Sequence, residues 1–140
     1  MAEMTDDDRD RFLAERRVAV LAIERRDKGP LCAPVWYRRD GAGRFEIAMA
    51  DGSAKAALLR AAGRATLCVQ DESRPYRYVT VEGPVELRVM SADERHEVLT
   101  EIASRYLGDE GGRRYAEAFP GHEEALVTLS PARWRTEVLG

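Results

Sequence analysis

Ser53 and Lys55, in the segment MADGSAKAALLR (49–60), are well placed in the sequence to hold an anion. Ser53 is a favoured N-cap residue, so the segment predicts a helix whose first turn contains Lys55. A cation there faces the positive end of the helix dipole, which is unfavourable unless an anion binds at the same place. With the N–H groups of the helix start, the hydroxyl and the ammonium would suit a phosphate group. The alternative is a solvated lysine with no ligand, although Lys55 and Lys28 are the two lysines among 22 basic residues.

The other reactive side chains indicate neither a metal site nor a catalytic set. Cys32 and Cys68 stand alone in apolar segments, without a CxxC pair or a neighbouring histidine, so we expect buried, reduced thiols and no zinc site. His96 and His122 lie in polar surroundings, far apart in the sequence, and predict surface positions. No Ser/His/Asp or Cys/His arrangement is signalled, and the residues alone leave the catalytic groups unassigned.

Composition and charge exclude several classes of protein. With 140 residues, 44% of them hydrophobic and 34% charged, the chain predicts one globular domain over residues 1–140. It has no apolar run near the ~20 residues of a transmembrane helix, and its acidic, amphipathic start lacks the pattern of a signal peptide. A net charge of −3 favours no nucleic-acid partner. We therefore expect a cytoplasmic protein that binds neither membranes nor nucleic acids.

Apolar periodicity, caps and turn residues predict four helices and six strands. Helices are expected to begin at Thr5, Ser53 and Ser91, the last ending near Tyr106, and a short fourth helix is expected over 112–119. The predicted strands cover 17–25, 31–39, 44–50, 65–71, 78–90 and 124–139, the last being long or broken.

The connections between the strands predict a mainly β, α+β fold. Consecutive strands joined by short turns, without regular βαβ alternation, favour an antiparallel sheet. Gly83 and Pro84 interrupt the longest alternating strand and indicate a bulge or bend of the kind found at barrel corners. Six strands with such a bend predict a small closed β-barrel with peripheral helices.

Four short segments carry a resemblance to a known family. They are PVWY at 34–37, GSAK at 52–55, RPYRYVTVEG at 74–83 and RYLG at 105–108. In this order and spacing the chain resembles the flavin- and deazaflavin-binding split-barrel proteins, the pyridoxamine 5′-phosphate oxidase-like family. Within it the pattern is most similar to the group associated with coenzyme F420, an 8-hydroxy-5-deazaflavin. The resemblance implies a six-stranded antiparallel split β-barrel and a homodimer with cofactors at the interface.

The resemblance also implies cofactor-binding positions on three strands and at the start of one helix. These are Pro34, Val35, Trp36, Ala48, Met49, Ala50, Ser53, Lys55, Tyr76, Arg77 and Tyr78. By this likeness 34–36 would lie beside the cofactor ring, backbone groups of 48–50 would touch its polar edge, and 76–78 would reach the groove of the partner subunit. Ser53 and Lys55 would hold the phosphate. The chain departs from the family where relatives often carry Arg and Asn, since Ala54 and Leu58 stand there.

The function implied by this likeness is hydride transfer between reduced F420 and a small electron-poor organic substrate. The final proton could come from solvent, Tyr37 or Tyr78. One alternative is an FMN-dependent oxidoreductase of the same fold, because FMN carries a phosphate suited to the same residues. Another is a non-catalytic protein that binds a flavin, haem or tetrapyrrole. As a structural alternative, Trp36, the RPYRY segment and Trp134 would serve packing alone.

Overall fold

The computed structural model describes residues 2–118 and 123–140. Its elements follow the chain order α1 Asp6–Ala14, β1 Ala19–Arg25, β2 Lys28–Val35, β3 Arg38–Arg39, β4 Phe45–Ala50, α2 Ala54–Ala62, β5 Arg64–Asp71, β6 Tyr76–Val89, α3 Ala92–Glu117, β7 Glu124–Leu129 and β8 Arg133–Leu139. No helix within the described ranges has the length and apolar character needed to cross a membrane.

The strands form one mostly antiparallel sheet in the order β2-β1-β5-β6-β7-β4-β3, with β8 also paired to β6. The predicted α+β class and the antiparallel pairing are confirmed. The predicted count of six strands is wrong, since the sheet has eight. The predicted closure is wrong as well, because β2 and β3 end the order and do not pair with each other in the described part of the chain.

Two of the six predicted strands are interrupted, which accounts for the count of eight. The strand predicted over 31–39 leaves the sheet at Trp36 and Tyr37 and resumes as β3. The strand predicted over 124–139 is broken at 130–132, between β7 and β8. The sequence leaves the second break open, since it predicts a long or broken strand there. The first break had no signal, because Val35, Trp36 and Tyr37 form a continuous apolar stretch.

β6 bends at Gly83 and Pro84 and changes partners there. Its first part pairs with β8 and its last part with β7. At the corner, a Cβ on Gly83 would lie 1.8 Å from the carbonyl oxygen of Ser130 and 3.2 Å from the nitrogen of Ala132. Only glycine allows the two backbones to approach this closely. This is the bend that the sequence predicts.

Two apolar clusters hold the elements together. The main one lies between the inner faces of the sheet, and α2 closes it with Ala56 and Leu59, both fully buried. The smaller one lies where α3 packs on the outer side of the sheet, and it contains Ile102, Tyr106 and Leu126. Trp36 and Ala48 pack against this smaller cluster and so lie under α3.

α3 is a helical hairpin with a break at Gly108. Gly108 adopts φ 80° and ψ 170°, values that end one helix and begin another. After the break the chain folds back on the first half of α3. The close approach shows at Gly112, where a Cβ would lie 2.1 Å from the Oγ of Ser104. The predicted second helix over 112–119 therefore begins earlier, directly after Gly108, and Phe119 lies outside the described residues.

Candidate functional site

A cavity of about 440 Å³ opens where the end of β2, the middle of β4, the start of α2 and both halves of α3 meet. This volume suits one small organic ligand or the ring of a larger one. Its walls are formed by Val18, Pro34, Val35, Trp36, Ala48, Lys55, Leu99, Ile102, Ala103 and Tyr115. Apart from Lys55, the charged member, the lining is apolar or aromatic.

Trp36 is held in place on one side of this cavity by Tyr106. The two rings are stacked, with centroids 4.9 Å apart and planes 7° from parallel. The Tyr106 hydroxyl donates to the carbonyl oxygen of Arg17 at 2.7 Å and accepts from the backbone N–H of Tyr37 at 3.3 Å. Arg105 stabilises the adjacent backbone, because its guanidinium donates to the carbonyl oxygens of Tyr37 and Leu13. The RYLG segment therefore positions Trp36 through these contacts.

The start of α2, where Lys55 lines the cavity, has backbone N–H groups without a partner in the described part of the chain. The Oγ of Ser53 accepts from the backbone N–H of Ala56 at 3.2 Å, which confirms the predicted N-cap. The N–H groups of Ala54 and Lys55 have no acceptor among the described residues. Two free N–H donors at the positive end of a helix attract an anion.

Lys55 has no counter-charge in the described part of the chain. It makes no hydrogen bond or ion pair there, and the first turn of α2 contains no acidic residue, whereas the first turns of α1 and α3 do. The carboxylate nearest in sequence, Asp51, is paired with Arg60. A half-buried ammonium at the positive end of a helix is therefore left for an external anion.

The structure brings five of the eleven implied cofactor residues together. Pro34, Val35, Trp36, Ala48 and Lys55 line the same cavity although they come from three separate segments. Trp36 lies just past the end of β2 and not within it, as the likeness had placed it.

The implied residues Met49, Ala50 and Ser53 do not line the cavity. Met49 points inward and is buried in the main core. Ala50 ends β4 and is exposed, and its carbonyl oxygen accepts from Ser53 N–H at 3.0 Å. From Ile47 to Ala50, β4 pairs with β7 along one edge, while no described strand pairs with its other edge. Leu58 packs against the main core.

The segment from Tyr76 to Tyr78 starts β6 and does not line this cavity. Tyr76 is exposed, with 45% of its surface accessible. The guanidinium of Arg77 pairs with the carboxylate of Asp71 at 2.7 Å and holds the pKa of that carboxyl down at about 2. None of these three residues lines the cavity at Lys55.

Tyr37 is one of the possible proton donors that the sequence leaves open, and its position in the structure contradicts a role as proton donor. Its side chain is fully buried, packs on Phe45 and donates its hydroxyl to the carbonyl oxygen of Leu13 at 2.8 Å. Burial raises the pKa of Tyr37 to about 12. The phenol therefore holds α1 against the sheet and does not face the cavity.

Tyr37→Phe is expected to destabilise the fold by about 1 kcal/mol at pH 7 through loss of this hydrogen bond. The pKa of Tyr37 lies above the unfolded value of about 10, so its contribution is complete below pH ~10 and is lost as pH rises toward 12. Urea unfolding of both proteins across this range should show the stability gap closing. A gap that stays constant from pH 7 to 12 would contradict this.

The sequence missed the side of the cavity formed by α3. Leu99, Ile102, Ala103 and Tyr106 follow the i, i+3, i+4, i+7 spacing of a buried helix face. This spacing signals that the face is covered, but it does not show what the face packs against. Val18 and Tyr115 had no sequence signal at all.

A larger depression of about 690 Å³ lies elsewhere, on the outer face of β1, β5 and β6. Its charged residues form two pairs with each other, Arg64 with Glu24 at 3.0 Å and Arg133 with Glu82 at 3.7 Å. Since these charges already have partners, this depression offers less to a ligand than the cavity at Lys55.

Comparison with known proteins identifies the family of this chain. The family model described as pyridoxamine 5′-phosphate oxidase matches residues 5–137, nearly the whole chain. The chain belongs to the pyridoxamine 5′-phosphate oxidase family. A comparison with curated proteins finds no match.

Several solved structures share the fold of the pyridoxamine 5′-phosphate oxidase family with this chain. The conserved hypothetical protein Rv2991 of Mycobacterium tuberculosis is 24% identical, with a TM-score of 0.78 over 96% of this chain and 85% of that one. A protein named F420 reductase is 20% identical and has a TM-score of 0.70, with 90% of this chain and 94% of that chain covered. The FAD and haem binding protein of Mycobacterium smegmatis is 19% identical, with a TM-score of 0.68 over 96% and 71%. At these identities the likeness shows the fold.

Proposed function

We propose that the cavity binds the ring and phosphate of a deazaflavin, coenzyme F420, and that the protein is an oxidoreductase acting on a small electron-poor organic substrate. The observation that carries this proposal is Lys55, which has no counter-charge among the described residues and lines an apolar cavity walled by Trp36. Two N–H groups at the start of α2 likewise lack an acceptor in that part of the chain. A flat, apolar ligand with an anionic group matches this lining, because its ring suits the apolar walls and its anion suits Lys55. A structural neighbour titled F420 reductase supports the choice of cofactor.

The residues of this chain would bind and orient such a cofactor. Lys55, the hydroxyl of Ser53 and the N–H groups of the α2 start would hold the phosphate. From Ile47 to Ala50, the edge of β4 that no described strand covers would offer backbone donors and acceptors to the polar edge of a ring. The apolar walls would exclude water from the reacting face. When bound, the cofactor supplies the hydride chemistry, which this chain's side chains do not.

FMN is the second candidate, because its phosphate fits the same groups. Haem binding has less support than flavin binding, because none of the described residues that line the cavity is a histidine. His96 is exposed on α3 and does not line the cavity, and His122 lies outside the described residues. Competitive titration decides between the first two ligands, and an FMN dissociation constant tenfold below that of F420 would reverse the order proposed here.

Turnover tests the enzymatic part of the proposal. Reduced F420 is mixed anaerobically with the protein and a panel of quinones, enones and nitroaromatic compounds, and its reoxidation is followed by absorbance. We expect at least one acceptor to be reduced faster with the protein than without it. If F420 binds tightly but its reoxidation is not accelerated with any acceptor, the enzymatic part of the proposal is contradicted. The protein would then bind the cofactor without catalysing its oxidation.

We also propose that the protein is a homodimer whose second copy covers the outer face of β1 and β2. Val18 and Val20 are 48% and 41% exposed there, and Cys32 and Pro34 on β2 are exposed beside them. The predicted burial of the Cys32 thiol is therefore wrong, because the side chain lies on the outer face of the sheet. Val18 and Pro34 also line the cavity, so a copy seated on this face would cover the cavity as well. In this arrangement Tyr76–Tyr78 would reach the site of the other copy.

The dimer is tested by sedimentation at micromolar concentration. We expect a dimer for the unaltered protein and a monomer for Val20→Arg, because a charge buried without a partner opposes association. Val89→Arg is the matched control, since Val89 is 46% exposed on a different part of the sheet. A monomeric unaltered protein, or the same loss from both variants, would contradict the proposed interface.

A further inference from the structure

One wall of the cavity is an aromatic side chain carried by the second half of α3. Tyr115 lines the cavity with Trp36 and Lys55. Its ring centroid lies 5.3 Å from that of Trp36, at an angle of 47°. With 37% of its surface exposed, Tyr115 is the most accessible aromatic ring of the lining.

The two tyrosines around Trp36 differ in their exposure and in the angle of their rings to the indole. Tyr106 is 9% exposed, lies parallel to Trp36 and is fixed by hydrogen bonds of its hydroxyl. It therefore covers one face of the indole. A flat ligand ring that packs near Trp36 within the cavity would lie close to Tyr115, because both rings line it.

The hairpin of α3 fixes the position of Tyr115 along the cavity. The second half packs on the first through Gly112, whose missing Cβ leaves room for Ser104. Ala116, the residue after Tyr115, is 2% exposed, and its carbonyl oxygen accepts from Arg95 at 3.3 Å. The backbone next to Tyr115 is therefore packed and hydrogen-bonded, while 37% of the Tyr115 surface remains exposed.

We propose that Tyr115 is a specificity-determining residue that contacts the flat ring of the bound ligand and limits the bulk the cavity accepts. This inference rests on the proposed function, because it concerns the same cavity. Tyr115 would act on the ring, whereas Lys55 would act on the phosphate. The two contributions are therefore separable with ligands that share a ring and differ in the phosphate.

Two ligand pairs provide the test. FMN and riboflavin share one ring, and F420 and 8-hydroxy-5-deazariboflavin share the other, and in each pair only the first carries the phosphate group. Dissociation constants are measured by ligand fluorescence. Tyr115→Ala should weaken both members of the pair that binds by the same factor, about 5- to 150-fold. Tyr115→Phe should bind as the unaltered protein does. Lys55→Ala should weaken the phosphorylated member alone.

Leu107→Ala is the matched control, because Leu107 is 49% exposed on the same hairpin and does not line the cavity. Its affinities should equal those of the unaltered protein. Full affinity in Tyr115→Ala together with a defect in Lys55→Ala would overturn the role of Tyr115 and leave the proposed function standing. If Tyr115→Ala does not fold, Tyr115→Leu takes its place, since it removes the aromatic ring and keeps an apolar side chain. Full affinity of Tyr115→Leu for the pair that binds would overturn the role of Tyr115 in the same way. Failure of both ligand pairs to bind the unaltered protein would overturn both proposals.

Discussion

Lys55→Ala is expected to weaken the binding of F420 and FMN by about 10- to 150-fold. The substitution removes one charge-assisted hydrogen bond to the phosphate, worth about 1.5–3 kcal/mol. Lys55 has no counter-charge among the described residues, so its loss leaves no buried partner behind. The melting temperature of the ligand-free protein should stay the same or rise slightly, because alanine is a better helix former and a cation leaves the helix N-terminus.

Lys28→Ala controls for the loss of a lysine. Lys28 is exposed at the start of β2 and does not line the cavity, so its removal should change neither affinity nor melting temperature. Fluorescence titration and thermal melts of both variants complete the comparison. Unchanged affinity in Lys55→Ala would mean that the lysine is merely solvated.

Gly83→Ala is expected to cause the largest loss of stability, about 3 kcal/mol or more. A Cβ at this position would lie 1.8 Å from the carbonyl oxygen of Ser130 and 2.9 Å from its carbonyl carbon. Both are backbone atoms at the corner between β7 and β8, so no side-chain rotation can relieve the overlap. For a chain of this size such a loss lowers the melting temperature by roughly 10 °C.

Gly29→Ala is the matched control for this effect. Gly29 also lies within a strand, but a Cβ there would meet nothing within 4 Å. Its melting temperature should therefore stay within a few degrees of the unaltered protein. Thermal unfolding followed by circular dichroism measures both variants. A melting temperature for Gly83→Ala equal to that of Gly29→Ala would contradict the close approach at this corner.

Local signals made much of this fold predictable from the sequence. The N-caps Thr5, Ser53 and Ser91 all accept the hydrogen bonds that their residue types predict. The bend at Gly83 and the antiparallel pairing also follow from neighbouring residues. These features depend on short stretches of chain, and short stretches can be read directly from residue types.

The breaks in the strands and the α3 side of the cavity depended on contacts between distant residues. Trp36 leaves the sheet where Tyr106, 70 positions later in the chain, stacks on it. Tyr115 reaches the same place because the hairpin turns back at Gly108. Apolar spacing showed that α3 has a covered face, but the surface that it covers is set by long-range packing.

The central claim, that the start of α2 and Trp36 together bind a phosphorylated flavin or deazaflavin, is tested most directly by a crystal structure of the complex with F420. We predict a phosphate oxygen about 2.7–2.9 Å from the Nζ of Lys55, with the N–H groups of Ala54 and Lys55 directed at the same phosphate. The ring should lie about 4.5–7 Å from a neighbouring aromatic centroid, that of Trp36 or Tyr115. A complex in which the ring lies outside this cavity, or in which Lys55 remains in solvent away from the phosphate, would contradict the claim.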